Sequence, residues 1–283
     1  MKSWLSSPLI TNYLLSLYQN GAPFQKKYVQ IYNSVKVTQP CKFRNKLFLP
    51  SSHNVEKYLK TSDIGVENVP FENNNDASKI INNWINEYGT FKEGDLNKYV
   101  LPNTACLLVN ASEFKGVWKS DQVNPVMNVH NSFSYTEDIK YEARLLELPM
   151  EDDFRLVVVV PNEVDSLHTL YKTLTTKGLD AAITCVQPLF THTTVLEAPS
   201  IEFSSEGEVV SEANCNIYNG IQLGNVQINE NGTNISLLTC LGSTYKNHSI
   251  VGEELSHEEA VYYFAIIYKD TAIFTGRYVK EIK

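Results

Sequence analysis

The sequence predicts one α+β domain. Helical periodicity marks the first hundred residues, and β-branched or alternating runs dominate after residue 100. The connections between those runs are mostly of meander length, unlike the helical crossovers of a doubly wound sheet. With 283 residues, 43% hydrophobic and 20% charged, the chain can bury a sizeable core. No Gly/Ser or Pro-rich linker and no internal repeat divides it, so residues 1–283 read as a single domain.

The elements follow in order. Ser7 then Pro8 opens a helix over residues 8–20, a capping serine followed by proline at the first helical position. Leu14, Leu15, Leu17 and Tyr18 supply its apolar face, and Asn20-Gly21 stops it. A second helix is expected to be capped by Asp76. Its stripe is Ile80, Ile81, Trp84, Ile85 and Tyr88, opposite Asn82, Asn83, Asn86 and Glu87. Strands are predicted at CLLVNASEF (106–114), LLELP (145–149), the β-branched RLVVVVP (155–161) and the apolar ISLLTCLGSTY (235–245). TVLEAPSIEFS (194–204) alternates around Pro199, which favours an edge or a bend. YYFAIIY (262–268) and AIFTGRYV (272–279) form a hairpin turned at Lys269-Asp270-Thr271.

Charge and motifs narrow the function. A net charge of −8 leaves no basic surplus to neutralise phosphates, which argues against nucleic acid and anionic membranes as partners. No apolar stretch reaches the length of a membrane span. Ser6, Ser7 and Pro8 interrupt what would be the core of a signal peptide. Sequons at Asn110, Asn231, Asn234 and Asn247 leave the compartment open. Five scattered cysteines (41, 106, 185, 215 and 240) show no zinc spacing and read as buried or half-buried thiols. Nucleotide-binding glycine loops and serine nucleophile elbows are absent. His257-Glu258-Glu259 lacks the second histidine of a zinc-protease helix, and Glu151-Asp152-Asp153 reads as a charged turn between strands. The expectation is a protein that is not an enzyme and needs no cofactor or metal.

Five ordered blocks then resemble a known family. ACLLVNASEFKGVW (105–118) is similar to the serpin segment "vNa-x-x-FkG-x-W" at Leu108, Val109, Asn110, Ala111, Phe114, Lys115, Gly116 and Trp118. Residues 6–22 look like the "SP-x-s … GA" start of a serpin helix, and residues 68–96 like the helix across the main sheet. Residues 145–170 and 264–279 resemble the "elPy … LP" strands and the closing hairpin. The style is similar to divergent poxvirus serpins. The resemblance implies a large central, mainly antiparallel sheet with secondary sheets and surrounding helices, lacking the first helix and part of a secondary sheet. It also implies a "shutter" hydrogen-bond network at Ser7, Pro8 and Asn110, with Gly242 where the family has a histidine. Asn110, and hence its sequon, is expected to be buried.

By the same resemblance, YKNHSIVGEELSHEEAVYYF (245–264) holds the reactive loop, the bait of a protease inhibitor. The family's freed loop inserts as a new central strand and carries the bound protease with it, and its hinge reads "EEGTEAxAA". The candidate loop residues are Ile250, Val251, Gly252, Glu253, Glu254, Leu255, Ser256, His257, Glu258 and Glu259. They offer no alanine run, and a glutamate buried on insertion would be unpaired. The reach between Tyr245 and Phe264 is about 60 Å when fully extended, too short to cross the sheet and leave residues to spare. The expected function is a non-inhibitory or weakly inhibitory protein-binding modulator of host processes, a viral virulence factor. The alternative is a working inhibitor of a host serine or cysteine protease. If viral, the chain would act in the host cytoplasm or be secreted.

Overall fold

The computed structural model describes residues 3–18, 23–53, 64–87, 100–102, 104–119, 123–124, 128–129, 134–138, 143–161, 200–208, 219–244 and 260–280. The strands are β1 (Trp4–Ser6), β2 (Cys41–Pro50), β3 (Gly65–Val69), β4 (Thr104–Gly116), β5 (Val123–Asn124), β6 (Asn128–Val129) and β7 (Ser134–Asp138). They continue as β8 (Ala143–Pro149), β9 (Phe154–Pro161), β10 (Ile201–Glu208), β11 (Asn219–Asn229), β12 (Gly232–Thr244), β13 (Ala260–Tyr268) and β14 (Thr271–Lys280). The helices among the described residues are α1 (Pro8–Tyr18), α2 (Pro23–Val35) and α3 (Asn74–Asn86).

Two six-stranded sheets carry the structure. The first runs β1-β14-β13-β9-β8-β7 and the second β10-β11-β12-β4-β2-β3, with β5 and β6 as a small separate pair. Among the described residues, only the pairing of β2 with β3 in the two large sheets is parallel, which is the mainly antiparallel arrangement expected.

Two cores explain the layering. Side chains alternate across a strand, so one set from β4 (Leu108, Phe114) enters the space between the sheets. There the Phe114 ring meets Phe154 of β9 at 5.1 Å and Phe274 of β14 at 6.0 Å. The other set (Leu107, Val109, Ala111) faces α3, whose Ala77, Ile81, Trp84 and Ile85 cover that side of the second sheet. Leu5 N–H donates to Ser205 Oγ at 3.1 Å, tying β1 of the first sheet to β10 of the second.

Local chemistry sets the element ends. Ser7 Oγ accepts from Ile10 N–H at 3.2 Å, so α1 starts on its capping serine as predicted. The start of α3 differs from expectation. The helix begins at Asn74, Asn73 is its N-cap without a side-chain cap bond, and Asp76 lies in the first turn. Asp76 instead accepts from Asn73 Nδ2 at 2.6 Å, and its charge suits the positive helix end. The turn before β9 places Asp152 and Asp153 at φ 57° and 63°, an exposed charged turn as expected.

On β8, Glu147 is part-buried beside Arg155, with Oε1 3.9 Å from Nη1. Burial raises its carboxyl above the ordinary value, and Arg155 offsets this only in part. A raised folded-state pKa favours folding at low pH, and that contribution is lost as pH rises through the folded value. Glu147→Gln should therefore melt at the same temperature as the parent or higher at pH 7. The difference should vanish below about pH 4, where the parent carboxyl is protonated too. A clear loss of stability at pH 7 would show that the Arg155 pair dominates.

Candidate functional site

The residues from Ile250 to Glu259 lie outside the described residues. Their anchors are described. Thr244 ends β12 opposite Thr104, inside the second sheet, and Ala260 begins β13 opposite Lys280, inside the first. Segment 245–259 therefore connects the middle of one sheet to the interior of the other.

β12 is the central feature. It pairs antiparallel with β11 on one side and with β4 on the other. Ile235, Leu237 and Leu241 point into the core between the sheets, while Leu238 and Cys240 lie beneath α3. All five are buried, so this strand is apolar on both faces where it crosses the sheet.

The turn into β12 is tight. Gly232 has φ 134°, and a Cβ there would lie 2.2 Å from the Gly116 carbonyl oxygen. Only glycine fits. Asn231 N–H donates to Asn229 Oδ1 at 2.9 Å, and the Trp118 indole N–H donates to the Asn229 carbonyl at 2.9 Å. This turn reads Glu230-Asn231-Gly232-Thr233, matching the hinge pattern "EEGT" at Glu230, Gly232 and Thr233. The hinge expected after Tyr245 thus has a better counterpart at the β11–β12 turn, and the stretch where the alanines belong holds Ile235, Leu237 and Leu238.

A buried polar network lies beneath. Asn110 is fully buried on β4. Its Nδ2 donates to Asn45 Oδ1 at 2.9 Å, and its Oδ1 accepts from Ser112 Oγ at 2.5 Å. Asn45 Nδ2 donates to the Tyr32 hydroxyl at 2.6 Å, and the Tyr32 ring stacks on Tyr13 at 3.6 Å. Beside this chain, Gln222 Nε2 donates to Thr239 Oγ1 at 3.0 Å and to Thr11 Oγ1 at 3.2 Å.

Register corrects one assignment. Thr239 is the β12 residue opposite Asn110; Gly242 lies opposite Leu107, three pairs and about 10 Å along the strand. The tight turn fixes that register, so Gly242 is not beside Asn110 and the polar neighbours are Thr239 and Gln222. Ser7 Oγ donates to the Ile273 carbonyl at 2.6 Å, joining α1 to β14, and Pro8 is the first residue of α1. Sequence reasoning missed Asn45, Tyr32, Gln222 and Thr239. The alternation of NGIQLGNVQIN, which puts Gln222 on the apolar face, was the available signal.

Burial pushes the thiols of Cys41 and Cys240 up to about 12, so neither is a nucleophile at neutral pH. Among the described residues no group of three or more His, Cys, Asp or Glu could hold a metal ion, and no helix is long and apolar enough to cross a membrane.

The fold as a whole matches solved structures over the full chain. With "Cleaved Serpin 42Da" the TM-score is 0.71 at 17% identity, covering 100% of this chain and 91% of that one. This is the serpin fold. Curated serpins are similar in sequence as well. Antitrypsin of Bombyx mori is 26% identical over 258 residues, covering 76% of this chain and 65% of that protein. Human Serpin B3 is 30% identical over 192 residues, covering 55% and 47% respectively. The chain thus spans between about half and two thirds of these relatives' length. No family model matches it.

Proposed function

We propose that this serpin-fold chain is a protein-binding modulator that presents segment 245–259 to a partner, a serine or cysteine protease among the candidates, and does not trap it covalently. The observation that carries this is where the described anchors of the segment, Thr244 and Ala260, lie. The segment leaves the central strand of one sheet and returns inside the other, where the resemblance puts the bait. Ile250, Val251 and Leu255 are the side chains that would fill a partner's pocket, and Glu253, Glu254, Glu258 and Glu259 favour a basic rim around it. In the form the resemblance suggests, the chain is viral and the partner a host protein. The competing reading, a trapping inhibitor, draws on the match at Glu230, Gly232 and Thr233.

Incubation with a panel of serine and cysteine proteases, followed by denaturing gels and mapping of cut sites, separates the two. The proposal predicts reversible inhibition or plain cleavage within 245–259 and no complex that survives denaturation. A denaturant-stable complex would establish the trapping reading. Failure of any panel protease, or of any captured partner, to be affected by replacing Val251 and Leu255 with aspartate would remove the segment from the binding role.

A further inference from the structure

We propose that the turn after β2, together with Asn68 of β3, binds one hard monovalent cation, sodium. Its ligands are three main-chain carbonyls of the turn and the Asn68 side-chain oxygen.

β3 is the outer strand of the second sheet, and Asn68 lies opposite Leu49, beside the end of β2. The chain turns immediately afterwards, with His53 N–H donating to the Pro50 carbonyl at 2.9 Å. That turn brings three carbonyl oxygens around one point. Asn68 Nδ2 occupies the point, 3.3 Å from the Pro50 oxygen, 3.3 Å from that of Ser51 and 2.8 Å from that of His53. Two amide hydrogens cannot serve three carbonyls in full. At the other end of the same amide, Oδ1 is buried and, among the described residues, meets no donor. A buried polar atom without a partner is uncommon and costs free energy.

Half a turn about χ2 exchanges the two ends, a rotation between the two broad wells open to an asparagine amide. The orphaned end is no worse off, since an unpartnered nitrogen replaces an unpartnered oxygen. On the turn side four oxygens then converge, and one cation can bind them all. The spacing fits. Neighbouring ligands on a cation at about 2.4 Å stand about 2.8–3.4 Å apart, the range of the three separations above. Magnesium, at about 2.1 Å, would draw them closer and gives up its water reluctantly. Potassium is larger and would hold them farther apart.

Charge selects between sodium and calcium, whose distances to oxygen are similar. The four oxygens are all neutral. Successive side chains alternate across a strand, so the carboxylate of Glu67 lies on the other face of β3, where Lys46 binds it at 2.5 Å. Calcium sites draw their affinity from the number of charged ligands, so a neutral set favours a monovalent ion, held weakly. Ser51 is exposed, which leaves room for waters to complete the shell.

Thermal melts of the intact protein in sodium chloride and in potassium chloride, each about 0.3 M, test the site. General screening is the same in both salts, whereas a bound ion raises the melting temperature only in its own. Sodium should raise the parent's Tm by about 2 °C over potassium, and Asn68→Leu should melt at one temperature in both. An asparagine that only staples the turn would give a variant less stable in both salts and a parent indifferent to the choice. Equal parent melting temperatures, or a sodium advantage that survives Asn68→Leu, would overturn the proposal. Should Asn68→Leu fail to fold, Asn68→Asp decides. It places a carboxylate among the carbonyls, so about 5 mM calcium chloride should raise its Tm by about 3 °C more than the parent's. Equal responses to calcium would overturn the site as well.

Discussion

Gly232→Ala is expected to lower the unfolding free energy by about 3 kcal/mol or more, measured by urea denaturation. Two costs add. A φ of 134° is a conformation that side-chain-bearing residues rarely adopt, and the added carbon would stand 2.2 Å from the Gly116 carbonyl oxygen. Neither cost can be relieved by rotating a side chain, since the opposing atom is backbone. Relief requires the β11–β12 turn to move away from β4, which would strain the Trp118 indole bond to Asn229 and the first pairs of β12. By contrast, Gly207 has nothing near the position of an added carbon, so Gly207→Ala should be close to neutral. Equal tolerance of both substitutions would mean that the turn is not built as described.

Asn110→Leu is expected to cost about 3 kcal/mol. The side chain is fully buried and joins Asn45 on β2 to Ser112 on its own strand. Leucine matches its bulk but leaves the buried Ser112 hydroxyl and the half-buried Asn45 side-chain oxygen without these partners. The Tyr32 hydroxyl, one bond further out, should matter less: Tyr32→Phe is expected to cost about 1 kcal/mol. The double variant should fall short of the sum, because both changes act on Asn45. Strict additivity would mean that the two bonds are energetically independent.

Much of the fold was legible in the sequence because its signals were local. The capping serine of α1, the stripe Ile81, Trp84 and Ile85, the run RLVVVVP and the closing hairpin all depend on neighbours within a few residues. The ordered serpin blocks then fixed how these pieces assemble. What stayed hidden depends on pairing across long separations. α2 was passed over although Tyr28, Tyr32 and Val35 recur at helical spacing, and β11 divides its apolar residues between two faces, Ile221 and Leu223 on one and Val226 and Ile228 on the other, with β10 and β12 as its partners. Asp76 has the chemistry of a cap, but the chain had already turned helical at Asn74.

The candidate site was legible in part. Asn110 was expected to be buried and is, because an asparagine in the middle of an apolar strand must be bonded inside. Gly242 was placed beside it by counting along a family pattern, and the strand register, fixed by Gly232, moves it three pairs away. The family's hinge pattern, sought after Tyr245, has its partial match at Glu230, Gly232 and Thr233. An apolar run such as ISLLTCL reads as strand in either frame, so composition could not decide between them; the tight glycine turn does. Burying Ile235, Leu237, Leu238 and Leu241 contributes roughly 6–12 kcal/mol, which a segment kept in solvent would forgo.

Hydrogen exchange of the intact protein across Gly232–Thr244 tests the central claim most directly. If β12 holds the middle of the sheet, its amides from Ile235 to Leu241 should exchange as slowly as those of Leu107–Ala111 on β4. Fast exchange of that stretch while β4 and β11 remain protected would contradict the account.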